Sequence, residues 1–168
     1  ACFDEWISFP EDVVASSGAG HPPLAAHKYG VVANTGAILI RRAATPLVEA
    51  WMHLMDVGPP RGRFHWRGAM GGDQWHLGML LLRKNMSWEG VPSTCAVRGA
   101  KRPTSRPCGI ASVSLGKTGR RLYIRFLNVS RWPRSTARDD AGVCLYHPYV
   151  HENRTTRFQR DGFWYLDR

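Results

Sequence analysis

No apolar run in this chain approaches the roughly 20 residues a helix needs to cross a bilayer. The four cysteines, Cys2, Cys95, Cys108 and Cys144, contain no Cys-x-x-Cys pair, which argues against a zinc ribbon or a dithiol redox motif. Gly-x-Ser-x-Gly is absent, so the strained serine elbow of the α/β-hydrolases is excluded. Ser114–Gly119 ends like a phosphate-binding loop, but that motif needs a glycine where this chain has Ala111. A strand pattern follows it instead of a helix, so the segment reads as a turn. Acidic residues are scarce: 13 Asp and Glu stand against 23 Lys and Arg, a net charge of +10.

That imbalance favours polyanions in general: nucleic acid, anionic lipid, nucleotides or acidic glycans. The basic residues are dispersed, with denser stretches at Arg61–Arg67, Arg98–Arg106 and Lys117–Arg125. None carries a nucleic-acid recognition motif, so nucleic acid is not an expected partner. A solvated basic face is the plainer reading. At 43% hydrophobic and 21% charged, with seven Trp in 168 residues, the chain can bury a core of one domain. Cys95 and Cys108 flank a Pro/Arg-rich stretch and are the best disulfide candidates, with two buried free thiols as the other reading. The sequons Asn85-Met-Ser87, Asn128-Val-Ser130 and Asn153-Arg-Thr155, with the even cysteine count, tilt toward a secretory lumen.

Helix and strand patterns alternate along the chain. Residues 1–10 read as a loop or short helix, and Glu11–Gly18 as a buried strand with a polar exit. Residues 19–30 read as loop, and Val31–Arg42 as the next strand. Thr45-Pro46 opens a helix, with Thr as cap and Pro at the first helical position. Its Leu47, Val48, Ala50, Trp51, Leu54 and Met55 share a face. Gly71-Gly72 precede Asp73, which starts a second, largely apolar helix reaching Arg83. Residues 89–112 read as loop. Leu122, Ile124 and Phe126 alternate as one face of a strand, and residues 143–153 read as a last strand running into a loop. This succession places the chain in the α/β class.

Asn34-Thr35-Gly36 is an odd start for a buried strand, because all three are poor strand formers there. Asp73-Gln74 behind two glycines caps a helix, and it also suits sugar hydroxyls. Asp accepts hydrogen bonds, Gln donates and accepts, and Gly lets a ligand come close. His147 and His151 are four apart, but Pro148 argues against the helix that would make them a metal pair. A structural histidine is the plainer reading of spacing alone.

The order of these features resembles the nucleotide-diphospho-sugar transferases of the GT-A fold. The features are Val13-Val14-Ala15-Ser16-Ser17, then Asn34-Thr35-Gly36 with a strand ending at Arg41, a Thr-Pro helix carrying Trp51, and Asp73-Gln74. Late in the chain come Val150-His151-Glu152-Asn153, Arg157 and Gly162-Phe163-Trp164. The likeness is greatest to the plant and algal type that includes xylosyl- and arabinosyltransferases of cell walls and extensins. It covers residues about 11–83 and 145–166, with residues 89–140 weakly matched.

The resemblance implies a GT-A (Rossmann-like) domain with a mixed sheet flanked by helices. It implies metal-dependent transfer of a sugar from an NDP-sugar, UDP-sugar by expectation, to a hydroxyl of a glycan or glycoprotein. Retention of anomeric configuration is the family expectation. Asn34, Thr35 and Gly36 would line the donor-sugar pocket, with Gln74 beside it. Asp73 would orient the sugar or steady charge at its anomeric carbon. His151 would ligate Mn²⁺ or Mg²⁺, and an imidazole favours Mn²⁺. Arg157 would offset charge on the departing diphosphate. The family's metal-binding Asp-x-Asp is not found before Asp12, and the expected place for it is upstream of Ala1. The expectation is therefore that residues 1–168 are the C-terminal part of a transferase domain. The full-length protein would be a type II membrane protein of the Golgi lumen. The competing reading is a non-catalytic basic module that binds polyanions or glycans.

Overall fold

The structure is a computed structural model that describes residues 2–18, 22–57, 72–96, 105–115 and 119–127. At one end of its sheet two segments pair antiparallel: β1 (Val13–Gly18) and β2 (Val32–Ile40). Every residue of β1 is buried, as expected of an apolar run in the interior of a sheet. Its other neighbour is β6 (Arg120–Phe126), which lies parallel to it. β6 in turn pairs antiparallel with β5 (Ser105–Leu115). The two-residue β3 (Ser87–Trp88) and β4 (Ser93–Ala96) both pair antiparallel with β5. The result is a six-stranded mixed sheet, β2-β1-β6-β5-β3, with β4 on β5. This is an α/β fold.

Among the described residues four α-helices flank it: α1 (Cys2–Ser8), α2 (Pro23–Tyr29), α3 (Thr45–Asp56) and α4 (Asp73–Arg83). Leu47 and Leu54 of α3, Ala25 and Tyr29 of α2, and Leu77, Leu80 and Leu81 of α4 share one apolar cluster with Val13, Ala15, Val113, Leu122, Ile124 and Phe126 of the sheet. Fully burying a Leu or Phe of this kind stabilises by about 1.5–3 kcal/mol before entropy is set against it. Trp6 of α1 joins Val14, Ala37 and Leu127 in a second cluster. The alternation of Leu122, Ile124 and Phe126 is as the sequence pattern requires, all three being buried.

Three expectations are corrected. Residues 23–29 are helical, not loop: Pro23 sits at the helix start, Leu-Ala-Ala follows, and Gly30 closes the helix at φ 73°. Those are ordinary start and stop signals, outweighed on reading by the His-Pro-Pro before them. Residues 89–112 are not a single loop but hold β4 and most of β5. Among the described residues that end of β5 pairs with β4 alone, which tolerates Pro107, and β6 takes over from Gly109. Thr45 does not cap α3. It is the first helical residue, and its hydroxyl donates to the Arg42 carbonyl oxygen at 2.7 Å.

Cys95 and Cys108 form a disulfide, with Cα atoms 6.0 Å apart. It ties β4 to β5. No described helix is long and apolar enough to cross a membrane.

Candidate functional site

β2 begins at Val32, before Asn34-Thr35-Gly36, and its ladder breaks just after Asn34. Ala15 pairs with Ile38, yet the next residue, Ser16, pairs with Asn34. One step along β1 thus spans four along β2, and Thr35, Gly36 and Ala37 bulge from the ladder. The Asn34 side chain organises the bulge: its Oδ1 accepts the Gly36 N–H at 3.1 Å. This is the local side-chain turn that Asn makes readily. Asn34 is 1% exposed, Thr35 is half-buried and Gly36 is exposed. The bulge therefore opens bare backbone to solvent directly in front of a buried carboxamide.

That carboxamide is only half satisfied. With Oδ1 held by Gly36, the Nδ2 end must point away, and it is buried with no hydrogen-bond partner among the described residues. Its cross-strand partner, Ser16, is also 1% exposed with an unpartnered hydroxyl. Two buried orphan polar groups side by side are uncommon, since each costs about 1–3 kcal/mol. Ser17, by contrast, donates to the Leu127 carbonyl oxygen at 3.4 Å.

Two positions further, Gly18 pairs with Val32. A methyl group on Gly18 would stand 3.2 Å from Gln74 Nε2. The alternation of an antiparallel ladder puts Ser16, Gly18, Val32 and Asn34 on one side. The Gln74 carboxamide thus meets the sheet end on the side that carries Asn34. Asn34 and Gln74, separate in sequence, approach one end of β1 and β2.

Helix α4 delivers Gln74. Gly72 precedes it as cap residue, and Asp73 is exposed in the first turn, where a carboxylate suits the helix dipole. Asp73 Oδ1 accepts the Gln74 N–H at 2.8 Å, and its carbonyl oxygen accepts from Trp51 Nε1 at 2.9 Å. Trp51 therefore pins the start of α4 to α3. His76 Nδ1 lies 3.0 Å from the Gly72 carbonyl oxygen, which can only accept, so Nδ1 carries a proton. The other ring nitrogen, Nε2, is buried without a partner among the described residues.

Ser16 and His76 were not among the residues singled out by sequence. The available signals were two serines closing an apolar strand and one histidine inside an apolar helix. His151 and Arg157, and with them His147, lie outside the described residues, as do Asn128 and Asn153. Asn85 is exposed just beyond α4, at φ 51°, and accepts from Lys28 Nζ at 3.1 Å. Among the described residues no three His, Cys, Asp or Glu gather to hold a metal ion. The described part of the chain therefore does not by itself form a metal centre.

Part of the basic sequence is already engaged. Arg125 is paired with Glu11 and lies 4.5 Å from the centre of the Phe9 ring. Arg121 is 3.5 Å from Glu89, which also accepts from Ser112. Arg106 is half-buried, and burial holds its guanidinium below the usual arginine range. Within the Lys117–Arg125 stretch, Arg121 and Arg125 are thus engaged with carboxylates.

No family model matches the chain, and neither a curated protein nor a solved structure matches it.

Proposed function

We propose that this chain belongs to a glycosyltransferase that moves a sugar from an NDP-sugar, UDP-sugar by preference, to a hydroxyl of a glycan or glycoprotein. The observation that carries the reading is Asn34. Its acceptor end is locked to Gly36 and its donor end is buried with no partner among the described residues. It stands behind an exposed glycine bulge at the sheet end that Gln74 also reaches. A sugar ring suits such a place: it offers neutral hydroxyls to amides and a flat face to bare backbone.

In this proposal Asn34, Thr35 and Gly36 receive the donor sugar, and Gln74 bonds it from the helix side. Asp73, exposed at the start of α4, orients the sugar or steadies positive charge at the anomeric carbon. Arg157 faces the diphosphate. His151 is the ligand assigned to a divalent ion, Mn²⁺ before Mg²⁺, whose chemistry would be to neutralise the leaving diphosphate. The GT-A fold, a Golgi-lumen location and a type II membrane anchor in the full-length protein belong to the same proposal. So do the glycan or glycoprotein acceptor and the retaining outcome.

Calorimetric titration of the full-length protein with UDP-sugars in Mn²⁺ tests it, beside a heparin titration across a salt series. The expected result is saturable UDP-sugar binding that Asp73→Asn and Gln74→Ala weaken. Heparin binding with a steep salt slope, without any UDP-sugar binding, would replace the proposal with a polyanion-binding module.

A further inference from the structure

We propose that Asn85 is a modification site that carries an N-linked glycan. This rests on the secretory-lumen placement in the reading above and adds a residue and a bond to it. Asn85-Met86-Ser87 is an Asn-x-Ser acceptor sequence, and the structure gives each of the three a place that fits. Past the end of α4 the Asn85 N–H donates to the Leu82 carbonyl oxygen at 3.2 Å, and the Met86 N–H to that of Leu81 at 3.0 Å. Asn85 takes the left-handed φ of 51° that such a helix closure needs. Met86, 3% exposed, belongs to the main core cluster and anchors the turn. Asn85 and Ser87, on either side of it, are exposed. Glycine would meet the demand for positive φ with less strain. Asparagine adds what glycine lacks, an acceptor amide held out from the core. The Cys95–Cys108 bond supports the compartment independently, since disulfides persist where the surroundings are oxidising.

The amide is free for the chemistry. Asn85 Oδ1 accepts from Lys28 Nζ at 3.1 Å, and both side chains are exposed. A glycan on Nδ2 leaves that oxygen, and its bond to Lys28, in place. The donor class is a lipid-linked pyrophosphoryl oligosaccharide, used by a membrane-bound transfer enzyme. Asn85 Nδ2 forms a bond to the sugar C1 and the C1–O bond to the pyrophosphate breaks. The electron pair leaves with the pyrophosphate oxygen, and one amide proton passes to a base of the transfer enzyme. Timing follows from the order of the strands. In the folded chain the Ser87 hydroxyl lies 3.5 Å from that of Ser112 on β5, 25 residues later. A chain entering the lumen during synthesis presents Asn85 to Ser87 before β5 arrives to pair with them. Folding then leaves the glycan outside. α4 has 11 residues, so Asn85 stands about 16 Å along the helix axis from the Gln74 end. The glycan grows from the helix end opposite the candidate sugar site.

The full-length protein is expressed in eukaryotic cells as wild type, Asn85→Gly and Ser87→Ala, and its side of the membrane is read by protease protection of sealed vesicles. Peptides are then deglycosylated with a peptide N-glycosidase in heavy-oxygen water, which converts each glycosylated Asn to a labelled Asp. The expected result is labelled Asp at position 85 in the wild type and complete loss of that label in both variants. Asn85→Gly keeps the left-handed turn, and Ser87→Ala keeps the asparagine and removes only the hydroxyl. Either carries the comparison if the other fails to fold. An unlabelled Asn85 peptide from wild-type protein protected in the lumen overturns the inference alone. Label at position 85 that persists in Ser87→Ala also overturns it. Wild-type protein confined to the cytosolic side, with no sequon labelled, overturns the lumenal placement, and the glycan with it.

Discussion

Glu11 and Arg125, 114 residues apart in the chain, meet in a two-pronged ion pair with N–O distances of 2.5 and 2.9 Å. Burial alone would raise the Glu11 carboxyl. The Arg125 hydrogen bonds outweigh it, helped by a backbone hydrogen bond and the charges of Arg125 and Arg41, and hold it below the usual carboxylate range. Arg41 also donates to the carbonyl oxygens of Ile7, Phe9 and Glu11, at 2.6, 2.5 and 3.0 Å. The segment from α1 into β1 is thereby fastened to the far end of the described chain.

A lowered folded-state value fixes the sign of the pH effect. The stabilisation is fully present above the unfolded carboxylate value of about 4.3 and is lost as pH falls through the folded value. Glu11→Gln should cost about 2 kcal/mol at pH 7, because it leaves a half-buried guanidinium without its anion. The gap between wild type and variant, read by urea denaturation, should hold between about pH 8 and 5 and narrow below about pH 4. A gap that is constant down to pH 3 would remove the ion pair as its cause.

Gly78 in α4 supports Pro22. A Cβ at position 78 would stand 2.3 Å from Pro22 Cδ and 2.7 Å from Cγ. In an open helix Gly→Ala gains about 1 kcal/mol. Here the methyl group meets a fully buried, rigid ring, and overpacking costs about 1–3 kcal/mol. Gly78→Ala should be destabilising by about 1 kcal/mol net. A variant as stable as wild type would mean that α2 can shift away from α4.

The Cys95–Cys108 bond closes a stretch with a sequence separation of 13, and the two residues form a small cluster of their own, apart from the main cores. Chain entropy gives such a loop about 3 kcal/mol of stabilisation. Replacing both cysteines with serine should lower stability by about 2–3 kcal/mol. Amide exchange should then speed up in β4 and in Ser105–Cys108 of β5, with Ala111–Leu115 protected by β6. Equal loss of protection across both halves of β5 would show that the bond supports the whole sheet.

The legible parts of the fold were those where one local signal had no rival. β1 opens on the apolar run Val13–Ala15, β6 alternates cleanly, and α4 starts at an acid behind glycines. The misread parts were those where a local breaker was overruled by a neighbour. Pro107 sits in a strand because β4 pairs with it there, and no local pattern reveals that partner. Asn34 was singled out because it is a poor strand former, which is the right reason: the ladder does break at that point. Ser16 was passed over because a serine at the end of an apolar strand has many uses. Only the register with Asn34 distinguishes this one.

His76 tests how α4 is anchored beside that site. Nδ1 donates to the Gly72 carbonyl oxygen and Nε2 has no partner, so the two ring nitrogens carry different roles. The amides of Asn and Gln separate them. The Asn carboxamide places its nitrogen near the Nδ1 position, and Gln reaches the Nε2 position. His76→Asn should keep the bond to Gly72 and lose about 1 kcal/mol, mostly from the space the ring vacates. His76→Gln should lose that bond and bury a misplaced amide, costing about 2–3 kcal/mol. Urea denaturation of both variants reads the difference directly. If His76→Gln proved the more stable of the two, the unpartnered Nε2 end would be the important one, and the contact with Gly72 would be incidental to the start of α4.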